Sequence, residues 1–265
     1  MTQDSEVVSE VRDSVAWVTF NRPEKLNTMN RNLLELFLAA LETHADDPRV
    51  RALVITGAGR AFGAGGDLSQ PLDAITGQGP LPRQTAELRR FMRVSQLLFE
   101  MPKPTIAAVN GACAGASLGV ACAADIRICA DTAIFASAFL GAGVSGDFAG
   151  SWGLARAIGP ALARDMYLTG RRIDAASALR MGLVSEVVTS DGLIARAREL
   201  ALEMAGRPPL AMAAMKRNFN LAESALLQQI LEAEAANHVA TTNTEDAAEA
   251  RMAFLEKRKP VFKGK

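Results

Sequence analysis

The chain has 265 residues, 49% of them hydrophobic, with 29 basic and 29 acidic residues in formal balance. A chain this long and this apolar buries a substantial core, as one large domain or a domain with an appendage, which excludes a disordered protein. Balanced charge and a sequence pI of about 6.8 leave no basic excess for a nucleic-acid backbone or an anionic membrane, so neither is an expected partner.

The start, Met1-Thr-Gln-Asp-Ser-Glu6, has no basic segment followed by an apolar one, and no apolar run reaches membrane-spanning length. A soluble, cytoplasmic protein is expected. The first elements read as a hairpin: Glu6 to Val11, a polar Arg12-Asp13-Ser14 turn, then Val15 to Phe20, rich in β-branched and aromatic residues. Asn30 is a good N-cap for a helix over Arg31 to Ala45, where Leu33, Leu34, Phe37, Leu38 and Leu41 recur at helical spacing. Val50 to Thr56 is a short apolar strand that runs into the glycine-rich stretch Arg60-Ala-Phe-Gly-Ala-Gly-Gly-Asp67. Residues 69–84, rich in Gly, Pro and polar groups, predict a mobile surface connection, followed by a helix over Thr85 to Glu100. Phe91, Met92 and Leu97 on it suit an acyl pocket or, more simply, the buried stripe of an amphipathic helix.

A second strand, Thr105 to Val109, leads into Asn110-Gly-Ala-Cys-Ala-Gly-Ala-Ser-Leu-Gly119 and an Ala-rich helix to Ala123; a third strand follows at Asp125 to Ala130. Strands alternating with helices at this spacing predict βαβ units and a largely parallel sheet, so the fold class is α/β. From Pro160 the pattern is helical, interrupted only at Leu183 to Val188. The shift predicts a core over residues 1–195 and a helical C-terminal region over 196–265, whose apolar faces suit packing on the core or on a neighbouring subunit.

Cys113, Cys122 and Cys129 form no Cys-x-x-Cys pair and lie in Ala-rich stretches, where cysteine behaves as a small hydrophobe; buried free thiols are expected. His44 and His238 stand far apart without a neighbouring ligand at metal spacing, so no metal site is expected.

Asp147, in Gly143-Val-Ser-Gly-Asp147-Phe-Ala-Gly150, is the carboxylate best placed for acid–base work in the glycine-rich segments. Three readings of those segments compete. Gly115-Ala-Ser117-Leu-Gly119 matches the Gly-x-Ser-x-Gly of serine hydrolases, and Ser117, Asp147 and His238 follow the hydrolase order. A nucleophile elbow, however, needs its serine directly off a strand, and His238 falls in a continuous helical pattern. Gly141-Ala-Gly143-Val-Ser-Gly146 satisfies the dinucleotide-binding Gly-x-Gly-x-x-Gly, but Asp147 then sits where a pyrophosphate belongs. The third reading takes the first two segments as backbone donors for a developing oxyanion, since Gly and Ala let the main chain approach a ligand closely. The plain alternative for each is a tight turn.

The order of these motifs resembles the crotonase, or enoyl-CoA hydratase/isomerase, family across nearly the whole chain. Asn21-Arg-Pro-Glu-Lys-Leu-Asn27 is similar to the family's coenzyme A loop, Arg60 to Asp67 to its first oxyanion segment, and Lys103 to Gly111 followed by Ala114-Gly-Ala116 to its second. Met252 to Lys259 is similar to its C-terminal coenzyme A segment. The resemblance implies a spiral of ββα units with a helical C-terminal trimerisation region, and a homotrimer or homohexamer. It implies an acyl-CoA substrate with no separate cofactor, coenzyme A being part of the substrate. It further implies oxyanion donors at the Gly66 and Ala116 N–H groups, coenzyme A contacts at Lys25, Leu26 and Ala64 and, approaching from an adjacent subunit, at Phe254 and Lys257, and an acyl pocket at Phe139 and Phe148. Arg258 and Lys259 read as solvated surface residues.

Hydratases of the family present two glutamates, and here Gly119 and Phe139 stand at the matching positions. Asp147 instead resembles the single aspartate of the enoyl-CoA isomerases, with Gly-Asp in place of Pro-Asp. The implied activity is stabilisation of a thioester enolate in fatty-acid or aromatic-acid catabolism, isomerisation ahead of hydration. Burial beside Phe139 and Phe148 is expected to raise the Asp147 pKa. A coenzyme A-thioester-binding protein without catalysis, and a serine hydrolase using Ser117, are the alternatives.

Overall fold

The computed structural model describes residues 5–71 and 73–265. The start of the chain and Leu72, which falls in the 69–84 connection, lie outside the described residues. Strands β1 (Val7–Arg12) and β2 (Val15–Phe20) form the expected antiparallel hairpin, closed by Asp13 and Ser14 at φ 52° and 63°. Helix α1 (Arg31–Asp46) begins as predicted: the Asn30 side chain accepts from the Leu33 N–H at 2.7 Å.

Strands β3 (Ala52–Gly57), β5 (Thr105–Val109), β7 (Ile126–Ala130) and β10 (Glu186–Val188) extend the hairpin into a six-stranded sheet of order β1-β2-β3-β5-β7-β10, parallel from β2 onward. Successive side chains alternate between its faces. Ala16, Val18, Phe20, Leu53, Ile55, Ala107, Val109 and Cys129 join one hydrophobic cluster. Val15, Ala52, Val54, Ile106, Ala108, Ile128 and Ala130 join another, closed by Leu193, Ala197, Ala201 and Ala205 of α8 (Leu193–Ala205). A division after residue 195 therefore falls inside a helix that covers the sheet, and the sheet-packed part of the chain extends to Ala205.

After β3, β5 and β7 the chain turns at once into a second sheet made of β4 (Ala61–Gly63), β6 (Ala112–Ala114), β8 (Ile134–Ala136) and β9 (Arg172–Asp174), in that order. Helices follow each pair: α2 (Leu81–Phe91) and α3 (Arg93–Glu100), α4 (Ala116–Ala123), then α5 (Gly150–Ile158) and α6 (Pro160–Thr169). This is the expected spiral of ββα units. The helix predicted over Thr85 to Glu100 begins earlier, at Leu81 after Pro80, and breaks at Met92. Phe91 is fully buried in the core, which settles its role as packing. The remaining helices are α7 (Ala175–Met181), α9 (Pro209–Ala222), α10 (Leu227–Thr242) and α11 (Glu245–Glu256). Among the described residues no helix is long and apolar enough to cross a membrane. The three cysteines are free and buried.

Candidate active site

The two predicted donor segments meet because each sits where a strand of the first sheet passes into the second. Gly65, between β4 and Gly66, has φ 96°, and Gly115, between β6 and α4, has φ 54°. Both values lie in the left-handed region that favours glycine. The two glycines touch: a carbon added to Gly115 would stand 3.4 Å from the Gly65 Cα, and one added to Gly65 would stand 3.3 Å from the Ala114 carbonyl oxygen.

Each glycine is followed by an N–H group without a partner among the described residues. Met29 bridges to Gly66 in parallel fashion, donating to the Gly65 carbonyl at 2.7 Å and accepting from the Asp67 N–H at 3.0 Å. That pattern turns the Gly66 N–H away from Met29, and a carbon added to Gly66 would meet nothing within 4 Å. The Ala116 N–H is the first of α4, where helix geometry leaves donors unpaired and the dipole favours negative charge.

The first segment is riveted by charge. Arg22, 8% exposed, donates to the Thr28 carbonyl at 2.6 Å and pairs with Asp67 and Glu6, each at 3.0 Å. The Arg22 and Ser69 hydrogen bonds hold the Asp67 carboxyl below its ordinary range, Ser69 contributing most. Asn27, fully buried, donates to the Ala58 and Ala61 carbonyls and accepts from the Arg22 N–H. Leu26 and Ala64 are brought together, the Ala64 N–H donating to the Leu26 carbonyl at 3.0 Å, while Lys25 beside them is exposed.

Asp147 arrives from the long connection between β8 and α5. Phe139, 7% exposed, places its ring against both Gly115 and Gly146, where added carbons would stand 3.8 Å and 3.5 Å from it. The Asp147 backbone rests on α4, since a carbon added to Gly119 would lie 3.2 Å from the Asp147 carbonyl oxygen. The three loops are thus in contact through Gly65, Gly115, Phe139 and Gly146. One Asp147 carboxylate oxygen is buried without a hydrogen-bond partner among the described residues. Burial pushes the carboxyl up to about 6, with no charged neighbour contributing. A carboxyl in that range exchanges protons readily near neutral pH.

Phe148, expected in the acyl pocket, is instead 1% exposed and packed within the main hydrophobic cluster. It supports the loop from beneath. Two supporting residues escaped the sequence reading. Ser95 of α3 donates to the Phe148 carbonyl at 2.9 Å. Tyr167 of α6, the chain's only tyrosine, stacks on Phe139 with ring centroids 5.7 Å apart. A sole tyrosine is a visible signal in the sequence; a serine on a helix is not.

Phe254 is 83% exposed on α11, and Lys257 caps that helix in left-handed conformation at φ 55°. No hydrogen bond or ion pair among the described residues joins either to the Lys25 turn. Arg258 is exposed, as expected, and pairs at the surface with Glu249 and Glu256. The hydrolase reading fails on geometry: Ser117 is fully buried inside α4, with its hydroxyl unpartnered and pressed against Gly63, and His238 is exposed on α10. The dinucleotide reading fails as well, because Gly141 lies in a single 3-10 turn, Leu140–Ala142, rather than at a strand-to-helix junction.

The sequence profile of the enoyl-CoA hydratase/isomerase family matches residues 10–265. The 1,2-epoxyphenylacetyl-CoA isomerase of Escherichia coli K12 is 35% identical over 98% of each chain. The carnitinyl-CoA dehydratase of Salmonella arizonae is 37% identical over 93% of this chain and 94% of its own. The crystal structure of an enoyl-CoA hydratase from Polaromonas sp. JS666 superposes with a TM-score of 0.88 at 32% identity, covering 97% of this chain and 99% of that one.

Proposed function

The chain belongs to the enoyl-CoA hydratase/isomerase family, and from that premise we propose that it is an enoyl-CoA isomerase in which Asp147 is the sole acid–base group. The observation that carries this reading is the Asp147 carboxylate itself: half-buried, with one oxygen buried and without a partner among the described residues, raised by burial to about 6, and facing no second carboxylate at position 119.

One base suffices for a double-bond shift. Asp147 removes a proton from C2 of a 3-enoyl thioester, and the electron pair moves onto the thioester oxygen. The Gly66 and Ala116 N–H groups hold that oxyanion; one such preorganised donor typically contributes about 3 kcal/mol to the barrier. Protonated Asp147 then returns the proton to C4, leaving the double bond between C2 and C3. Coenzyme A enters as part of the substrate, with Lys25, Leu26 and Ala64 at one end of its path and Phe254 and Lys257 from the C-terminal region, and no separate cofactor takes part.

Hydration directed by Asp147 alone is the second reading, favoured by the hydratase and dehydratase names of the relatives. Incubation with 3-enoyl- and 2-enoyl-CoA thioesters, read by mass and absorbance, separates the two. Conversion of the 3-enoyl thioester without change of mass is expected; gain of water by the 2-enoyl thioester alone overturns the isomerase assignment. Binding of both thioesters with no turnover of either overturns catalysis altogether.

A homotrimer or homohexamer completes the proposal. Phe219, Leu227 and Phe254 are 76%, 74% and 83% exposed on α9, α10 and α11, an apolar surface suited to a second copy. Light scattering is expected to return three or six times the 28.1 kDa chain mass; a monomer at micromolar concentration overturns it.

A further inference from the structure

One Asp147 carboxylate oxygen is buried without a hydrogen-bond partner among the described residues, so the direction of the group depends on the backbone that carries it. That backbone is unusual. Phe148 and Ala149 follow with φ 46° and 57°, two consecutive non-glycine residues in left-handed conformation. Such a pair persists only where surrounding structure holds it.

Three elements do so. The Phe148 carbonyl accepts the Ser95 hydroxyl of α3 at 2.9 Å, a buried bond from a residue only 4% exposed. The same carbonyl oxygen lies against α4, 2.8 Å from where a carbon on Gly119 would stand. Tyr167 of α6 brackets the turn from outside. Carbons added to Gly146 and Gly150, on either side of the turn, would stand 3.3 Å from its ring edge and 2.3 Å from its hydroxyl. Gly119 and Tyr167 only exclude alternatives by contact; the turn closes on itself through the Gly150 N–H donating to the Asp147 carbonyl at 3.0 Å, and Ser95 is the side chain that bonds the peptide between Phe148 and Ala149.

We propose that Ser95 is a positioning residue for Asp147: its hydroxyl holds the left-handed turn at Phe148 and Ala149, and thereby keeps the carboxylate buried and aimed at the reacting carbons. The proposal rests on the reading of Asp147 as the acid–base group. Loss of the bond frees the turn to relax, admits water to the loop, and misplaces the carboxylate without touching the coenzyme A contacts. Misplacement of a reacting group by about 1 Å commonly costs up to about 100-fold in rate.

The test is a matched pair, Ser95→Thr and Ser95→Val, which add the same bulk and differ in the hydroxyl. For Ser95→Val, kcat is expected to fall at least about 10-fold below that of Ser95→Thr, with KM for the acyl-CoA within about twofold. The acid limb of its pH–rate profile is expected to move down from about 6, where burial holds it in the wild type, toward ordinary carboxylate values. The titratable groups packed beside the loop do not cloud that limb, because burial keeps the Tyr167 phenol and the Cys122 thiol protonated well above it. Equal kcat and equal acid limbs in the two variants overturn the proposal, as does a loss in Ser95→Val that appears only in KM or melting temperature. An Asp147→Asn variant run alongside tells the two failures apart. Full turnover in it removes the acid–base reading and the Ser95 role together, whereas an inactive Asp147→Asn beside an unaffected Ser95→Val removes only the latter.

Discussion

Gly119 of α4 and Phe148 of the Asp147 loop lie backbone to backbone: a carbon on Gly119 would stand 2.8 Å from the Phe148 carbonyl oxygen and 3.1 Å from its Cβ. The absence of a side chain at 119 is what lets the Asp147 loop settle on the helix. A two-glutamate site and this loop conformation therefore exclude each other. Gly119→Glu is expected to lower activity rather than confer efficient hydration, because the new side chain must lift the loop that carries Asp147. Overpacking of this kind typically costs about 1–3 kcal/mol. Thermal melting and turnover of both enoyl-CoA isomers check it; a gain of hydratase activity with unchanged stability contradicts the packing argument.

On the proposed mechanism, Asp147 trades stability for chemistry. Its folded-state carboxyl is raised from 3.8 to about 6 by burial, so its contribution to stability is fully present below about 3.8 and is lost as pH rises through about 6. That gap corresponds to roughly 3 kcal/mol at about 1.36 kcal/mol per pH unit. Asp147→Asn removes the buried charge but leaves an unpartnered amide, which costs about 1–2 kcal/mol. A net stabilisation of about 1–2 kcal/mol is expected at pH 8, disappearing below about pH 4, together with a loss of about 100- to 10,000-fold in turnover. Denaturant melts at the two pH values, with initial rates, check both halves. The wild-type rate is expected to rise with pH through an apparent pKa near 6.

The parts of this arrangement visible in the sequence are those where local pattern and tertiary structure agree. Asn30 caps α1 as its spacing implies, and the strands of the first sheet read correctly because Leu53 and Ile55 bury on one face while Ala52 and Val54 bury on the other. The second sheet was invisible. Its strands are three residues long, and two of them, Ala61-Phe-Gly63 and Ala112-Cys-Ala114, carry no β-branched residue. They form by pairing with one another once the first sheet has set the strand ends, not by propensity. The site divides in the same way. Glycines mark the donor loops because left-handed φ values leave a chemical signature at Gly65 and Gly115. Ser95 bonds to Phe148 across 53 residues, and nothing local to either residue encodes that bond.

The Ala116 donor is open to direct removal. Ala116 is the first residue of α4, the position where proline is best tolerated, because its N–H has no helical partner and its fixed φ suits a helix start. Ala116→Pro therefore deletes one oxyanion donor while leaving the helix ladder intact. A fall in kcat of about 100- to 1,000-fold is expected, matching loss of a single preorganised donor. Circular dichroism and melting temperature monitor the fold, and a variant that folds and retains full turnover removes Ala116 from the oxyanion role.

The C-terminal helices bear on the site through one buried cation. Lys216 of α9, 8% exposed, donates to the Leu98 and Lys103 carbonyls at 2.8 and 3.0 Å and pairs with Asp125 at 2.8 Å. Asp125 in turn accepts from the Thr105 N–H and hydroxyl, so α9 is tied to the end of α3 and the starts of β5 and β7. Desolvation lowers the Lys216 pKa, with Asp125 opposing the shift, as expected of a charge retained by its partners. Lys216→Met keeps most of the volume but strands the two carbonyls and the Asp125 charge. Asp125 itself reaches solvent, so the loss is expected to be about 1–3 kcal/mol, mainly from the stranded carbonyls. Because α3 also carries Ser95, the loss is expected to appear twice, as a lower melting temperature and as a drop in turnover larger than the drop in coenzyme A affinity. The double variant Lys216→Met, Asp125→Asn is expected to recover part of the stability, since it removes the stranded charge; a double variant no more stable than Lys216→Met alone contradicts the ion-pair account of how α9 is held.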